Sequence, residues 1–162
     1  MTLILPFVGS TTVIRAIDKT NIWLAIGRGD AAWGDAPAEP SLTEVALTDP
    51  VGMLRLTEKQ FVVKSASGTI ETNDGQKWAV SVEPTRYLYV RYVLKTSEAV
   101  GNTLREWGLY LDPTVKGSVP AGQNFVAIDD FEDIGDFLAF RRVAPIIHNG
   151  TLRNTISEVI TF

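Results

Sequence analysis

Few side chains in this sequence could do chemistry, and their spacing limits what that chemistry could be. His148 is the sole histidine and cysteine is absent. A histidine metal cluster within one chain, a thiol nucleophile, a disulfide scaffold and a Cys-based zinc site are therefore excluded. A Ser-His-Asp triad would have to use His148, which stands beside Asn149-Gly150 in a predicted turn, and no Gly-x-Ser-x-Gly elbow supplies its nucleophile. The expected role is that of a turn histidine, solvated or bonded locally. No catalytic residue is predicted.

The densest charge is Asp129, Asp130, Glu132, Asp133 and Asp136. Clustered carboxylates suit hard cations, but the alternating Asp-x-Asp-x-Asp-Gly order of a calcium loop is missing. Phe131 and Ile134 read instead as anchors of an acidic surface loop or a helical turn, giving a solvated or partner-facing edge. No metal site is assigned. Glycoside hydrolysis by paired acids needs a separation of about 5 to 9 Å in space, and among 19 acidic residues chance pairs are expected. Gly27-Arg28-Gly29 completes neither the Walker pattern nor Gly-x-Gly-x-x-Gly, so it reads as a turn and no phosphate-bearing or other cofactor is expected. Trp23, Trp33, Trp78 and Trp107 are spread over different elements, which suits cores and subunit contacts; only Trp33, on a loop, could serve as a carbohydrate platform.

The elements that must position these residues are read from a chain of 162 residues with 45% hydrophobic and 21% charged side chains. Such a chain can bury one sizeable core. Fifteen Lys+Arg against 19 Asp+Glu give a formal charge of −4, and the basic residues are scattered. With a sequence pI near 5.0, a surface that tracks nucleic-acid phosphates is not expected. The opening Met1–Gly9 is apolar but has no basic leader, is interrupted by Pro6 and is far shorter than the ~20 residues of a membrane span, so neither a signal peptide nor an anchor is read there. Absence of cysteine fits synthesis in a reducing cytoplasm, and equally a protein that leaves the cell within a particle.

Punctuation by Gly, Pro, Asn and Asp between apolar or alternating stretches predicts a mainly β chain. The expected fold is a single-domain antiparallel β-sandwich spanning 21–162, with extended loops and at most one or two short helices, preceded by an arm or short helix over 1–20. Within that arm, Ser10-Thr11-Thr12 can cap a helix through Val13, Ile14, Ala16 and Ile17. Strands are expected at Asn21–Gly27, Gly52–Thr57, Gln60–Lys64, Thr69–Thr72, Lys77–Val82, Arg86–Lys95, Thr103–Leu111, Phe137–Val143 and in a final segment with Ile156, Ile160 and Phe162 on one face. Asp74-Gly75 predicts a two-residue hairpin turn. Asp30–Pro40 is a loop or linker, and Ser41-Leu42-Thr43-Glu44 has capping-box spacing for one helical turn. Along Arg86–Lys95, Leu88, Val90, Tyr92 and Leu94 share one face, while Tyr87, Tyr89, Arg91 and Val93 form a partly covered face suited to another subunit. An insertion over about 114–136 opens with Lys116–Gly122, a loop long enough to extend away from a sheet edge.

Two sets of residues carry a resemblance. Ile22-Trp23-Leu24-Ala25-Ile26-Gly27-Arg28-Gly29, followed by Pro40-Ser41-Leu42-Thr43-Glu44-Val45, resembles the opening of small bacteriophage tail and baseplate proteins. Leu104-Arg105-Glu106-Trp107-Gly108-Leu109-Tyr110-Leu111, with Phe137–Val143, Pro145-Ile146 and Thr155–Phe162, is similar to the "E-x-G-L-Y... L-A-x-R... P-I-x-K... W-x-I-x-F" ending of tail-fibre and baseplate β-domains. The insertion and Asn149, where a lysine is common, depart from that pattern. The resemblance implies a noncatalytic virion component, made in the host cytoplasm, of a contractile tail. It implies several copies around a symmetric axis, with sheath, tube or fibre proteins as partners and neither nucleic acid nor membrane among them. A tail-fibre adaptor is the alternative, and an envelope-directed hydrolase or carbohydrate-binding domain is a third reading from a different class. The expected partner-contact residues are Leu3, Ile4, Leu5, Phe7, Trp33, Tyr87 and Tyr89.

Overall fold

The computed structural model describes residues 4–36 and 39–162. Among the described residues the chain is mainly β, with antiparallel sheets, one α-helix and two main five-stranded sheets, as the sequence pattern predicts. Its residues gather into two compact units. One comprises the described residues up to Thr20 with Leu56–Tyr92 and Ile156–Phe162, and the other comprises Asn21–Arg55 and Val93–Thr155.

The larger unit is organised around β1 (Ile22–Gly27), whose six residues are all buried. A run that is apolar on both faces suits a central strand, covered on both faces and with a neighbour at each edge. Those neighbours are β2 (Pro50–Leu54), with Leu24 opposite Leu54, and β7 (Asn102–Leu111), with Leu24 opposite Leu109. Outside β7 lies β11 (Asp136–His148), and outside β2 lies β9 (Phe125–Ala127), giving the order β11-β7-β1-β2-β9. Trp23, Ala25, Leu47, Met53, Tyr110, Val126 and Phe131 form its core cluster.

Four expectations for this unit need correction. The insertion is folded into the unit: β8 (Thr114–Val115) pairs with β10 (Phe131–Asp133), and β9 completes the large sheet. Gly52 permits this, since a Cβ there would lie 2.4 Å from the Val126 carbonyl oxygen and 2.5 Å from the Phe125 ring. The acidic run divides into a 3-10 turn (Ile128–Asp130) and β10, with Phe131 buried as its anchor. The strand expected at Phe137–Val143 is longer, running from Asp136 to His148. The β11 register shifts between Arg142 and Ile146, which lets Pro145 sit in the strand without a ladder hydrogen bond. Ser41-x-x-Glu44 starts no helix; the Ser41 hydroxyl bonds Thr43 in a turn and Glu44 is engaged elsewhere.

In the other unit, α1 (Phe7–Asp18) begins at Pro6, not at Ser10. The Ser10 amide donates to the Pro6 carbonyl, and the Thr11 and Thr12 hydroxyls bond back to Phe7 and Val8 carbonyls within the helix, so none of them caps it. Ile14 and Ile17 are buried on one face as their spacing predicts. The Lys59 ammonium reaches the Asp18 carbonyl and lies 3.3 Å from its carboxylate, on the helix's last residue.

The sheet of this unit has the order β12-β6-β3-β5-β4, from β12 (Asn154–Thr161), β6 (Tyr87–Leu94), β3 (Glu58–Lys64), β5 (Lys77–Val80) and β4 (Ile70–Glu71). Leu88, Val90, Tyr92 and Leu94 are fully buried, as their alternation predicts. The β4-β5 hairpin forms where expected, but its loop is Thr72–Gln76 and not a two-residue turn. The Asp74 carboxylate accepts from the Thr72 hydroxyl at 2.6 Å and the Gln76 amide at 3.1 Å, and Gly75 alone takes the left-handed angle at φ 77°. Ile156 and Ile160 are buried, whereas Phe162 on the same face is half exposed.

Candidate functional site

Residues 28–49 connect β1 to β2 as an arm, and the residues at its base explain the motif Ile26-Gly27-Arg28-Gly29. Gly27 faces Glu106 across the β1-β7 ladder. A Cβ at Gly27 would lie 2.7 Å from the Glu106 Oε1 atom, so only glycine allows this approach. The same carboxylate, almost wholly buried, accepts the Asp49 amide at 2.9 Å. Arg28 then closes the base with a two-point bond to Asp49, Nε to Oδ2 at 2.7 Å and Nη2 to Oδ1 at 2.9 Å. That hydrogen bond is the main cause that holds the Asp49 carboxyl below its usual range and raises the Arg28 guanidinium.

A carboxyl depressed in the folded state stabilises the fold above its unfolded pKa of about 3.9, and the contribution fades as pH falls through the lower folded value. Both side chains are about half exposed, so solvent limits the pair to roughly 0–1 kcal/mol. Asp49→Asn is therefore expected to lower the melting temperature slightly at pH 6, with the gap to wild type narrowing as pH falls below the usual carboxylate range in parallel thermal melts. A gap that widens on acidification would contradict the assignment.

Further along the arm, Asp30 accepts the Ala32 amide at 2.8 Å and starts a 3-10 turn over Ala31–Trp33. Gly29, at φ 60°, lets the Trp33 ring fold back over it, where a Cβ would meet the ring at 2.4 Å. Above Trp33 lies Arg142 of β11, its guanidinium 4.4 Å from the ring centroid. The same guanidinium donates to Glu44 Oε1 at 2.7 Å and to the Glu39 carbonyl at 3.1 Å. One buried side chain thus grips three points of the arm. Nearer β2, Leu47 enters the core cluster and its amide donates to the Tyr110 hydroxyl at 3.3 Å. Burial is the main cause that raises the Tyr110 hydroxyl's pKa, with the Leu47 amide opposing and the Glu106 charge adding.

The motif residues Glu106, Gly108 and Tyr110 therefore share one task, which is to seat the arm. Glu106 and Tyr110 accept its amides, and Gly108 leaves space that a Cβ would contest with Leu47 at 3.1 Å and with Phe137 at 2.9 Å. What the seated arm turns outward is Leu42, fully exposed, and Val45, 84% exposed. Neither was among the expected contact residues. The available signal was charge: from Gly29 to Leu54 the sequence holds Asp30, Asp35, Glu39, Glu44 and Asp49 and no lysine or arginine.

The expected contact residues fall in different settings. Leu3 lies outside the described residues. Ile4 is 89% exposed, Phe7 is 72% exposed, and Leu5 and Val8 are also exposed. Arg86 stacks on the Phe7 ring at 3.9 Å to its centroid. Trp33 is half-buried beneath Arg142. Tyr87 is half-buried against Trp78, with centroids 5.0 Å apart. Tyr89 is buried with Val62 and Trp78, its hydroxyl 3.1 Å from Ser157 Oγ. The Tyr87 and Tyr89 face is thus covered largely by side chains of its own unit.

His148 also departs from its expected setting. It ends β11 opposite Asn102 and is 1% exposed, because the bulged strand continues past Pro145 and the turn begins one residue later. Its Nδ1 lies 2.9 Å from Asn154 Nδ2, and its Nε2 is buried without a hydrogen-bond partner. Its backbone carbonyl accepts the Gly101 amide at 2.8 Å. Among the described residues no group of three His, Asp or Glu could hold a metal ion, and no helix is long and apolar enough to cross a membrane.

A comparison with curated proteins finds no match. The model of one family, described as "Baseplate wedge 3 tail fiber network component", matches residues 9–162. That span includes the Gly27 and Gly29 base, the Arg142 grip and the Glu106-Gly108-Tyr110 seat. The chain belongs to this family of phage baseplate structural components.

Proposed function

We propose that the protein is a noncatalytic assembly component of a contractile-tail baseplate, present there in several copies and joined to neighbouring tail proteins through the segment before α1 and through the Asp30–Pro40 loop. The observation that carries this reading is the row Ile4, Leu5, Phe7 and Val8, all exposed before and at the start of α1. Contiguous apolar side chains left in water mark surfaces that a neighbour covers. Of the structural roles, that of a fibre-facing adaptor is favoured as a second reading by the words "tail fiber network" in the family's description.

Deleting residues 2–8 tests the proposal. Ile14 and Ile17, which fix α1 by burial, are retained, so the variant is expected to fold with a melting temperature close to wild type while failing to enter particles in infected cells. A folded variant that is incorporated normally would overturn the role of this segment. Loss of folding would assign these residues to the core.

A further inference from the structure

We infer that Leu42 and Val45 form an apolar knuckle that docks into an apolar pocket rimmed by lysine or arginine on a different baseplate protein, with Arg142 as the positioning residue that presents it. The inference rests on the assembly reading above and names the chemistry of one neighbour. Three observations converge on it. First, Leu42 and Val45 stand in water on the arm, three positions apart, although the same arm buries Leu47. Second, the arm is fixed before any partner arrives. The Arg28–Asp49 pair, the Glu106 and Tyr110 acceptors and the Arg142 contacts to Trp33, Glu44 and Glu39 hold it. A preordered knuckle binds without the entropy cost of ordering a loop.

Third, the charge along the arm's own sequence has one sign, and Arg142, the cation that grips it from β11, is already bonded to Glu44 and the Glu39 carbonyl. Asp30, Asp35 and Glu39 are exposed, and no basic residue occurs between Arg28 and Arg55. Acidic side chains around an apolar pair match a cationic rim, which speeds encounter and excludes like-charged partners. A second copy of this chain brings the same net charge of −4, so the fit is to a different protein with a basic face.

The test uses the full chain and tail particles assembled without it. Purified wild type, Leu42→Ser/Val45→Ser and Asp35→Lys/Glu39→Lys are added back at low and high salt, and the incorporated fraction is measured. Removing two fully desolvated anchors is expected to weaken incorporation by about 100-fold. Melting is expected to be unchanged, because both side chains are already in water. Wild-type incorporation should fall several-fold between roughly 50 and 500 mM salt, and the lysine variant should fall comparably at low salt.

Leu42→Ser/Val45→Ser incorporation at the wild-type level would overturn the inference, as would salt-independent incorporation. Light scattering that shows a wild-type homodimer dissociated by the serine pair would also overturn it, by identifying the occupant as a second copy. The deletion of residues 2–8, run in parallel, separates the two proposals. If the deletion blocks incorporation and the serine pair does not, the knuckle fails and the assembly reading stands. If neither variant is impaired, both fail.

Discussion

Trp23→Ala is expected to lower the unfolding free energy of the unit built from Asn21–Arg55 and Val93–Thr155 by about 3–5 kcal/mol, the range for deleting a buried aromatic ring. Trp23 is 6% exposed at the centre of β1, edge-on to Phe131 with centroids 5.5 Å apart and planes at 83°. Its outer face carries the Arg55 guanidinium at 4.3 Å, and Arg55 in turn donates to the Gln123 carbonyl at 2.8 Å. Removing the ring therefore empties space between β1 and the 114–136 segment and leaves Arg55 without its platform. Collapse is restricted because β1 is held on both sides, by β2 and β7.

For a chain of this size a loss of 3–5 kcal/mol corresponds to roughly 6–20 °C in melting temperature, which calorimetry reads directly. Trp33→Ala is the control. Its ring is only half-buried, and Arg142 keeps its bond to Glu44 without it. A Trp23→Ala shift no larger than that of Trp33→Ala would show that the ring is not structural in the way its contacts indicate.

Elements whose signal lies within a single strand were legible from sequence. The apolar run within Asn21–Gly27 specified a strand, which the structure buries on both faces, and the alternation from Leu88 to Leu94 specified which side is in the core. Elements that depend on a distant partner were not. β9 is a three-residue strand whose existence depends on Gly52 giving space to Phe125, some seventy positions away in the chain. His148 was misplaced because the Asn149-Gly150 beside it reads locally as a turn that takes in the histidine, whereas β11 runs to His148 and the turn begins after it.

The site was half legible for a related reason. The residues of the resemblance, Gly27, Gly29, Glu106, Gly108 and Tyr110, could be picked out, but their common purpose could not. It appears only when Asp49 and Leu47 are brought onto β7, about sixty residues away. Such residues look unrelated in sequence because Glu106 and Tyr110 act on backbone amides, which carry no residue-type signal, while the glycines act by leaving space. This also accounts for a motif that combines glycines with buried acceptors. Its chemistry is that of fixing a connection in place.

Arg142→Met is expected to release the middle of the arm while leaving its base intact. The guanidinium contributes a cation–π contact to Trp33 and charge-assisted bonds to Glu44 and the Glu39 carbonyl, and methionine retains much of the stem but none of the donors. Because Glu44 is partly solvated, at 30% side-chain exposure, it regains water when the partner is lost, and the cost is about 1–2 kcal/mol and not that of a fully buried orphan charge. The larger effect is local. Amides of the Trp33 and Glu44 turns, which bond only within the arm to the Asp30 and Ser41 carbonyls, should exchange with deuterated water at least tenfold faster. The Leu47 and Asp49 amides, held by Tyr110 and Glu106 of β7, should keep their protection. Arg142→Lys separates charge from geometry, since an ammonium can reach Glu44 but cannot fork between a carboxylate and a carbonyl while stacked on an indole. Lysine is therefore expected to give intermediate exchange and partial particle incorporation. Equal exchange of the Trp33 and Glu44 amides in wild type and Arg142→Met would mean that the arm is held without the arginine, and the three-point grip would then have no mechanical role.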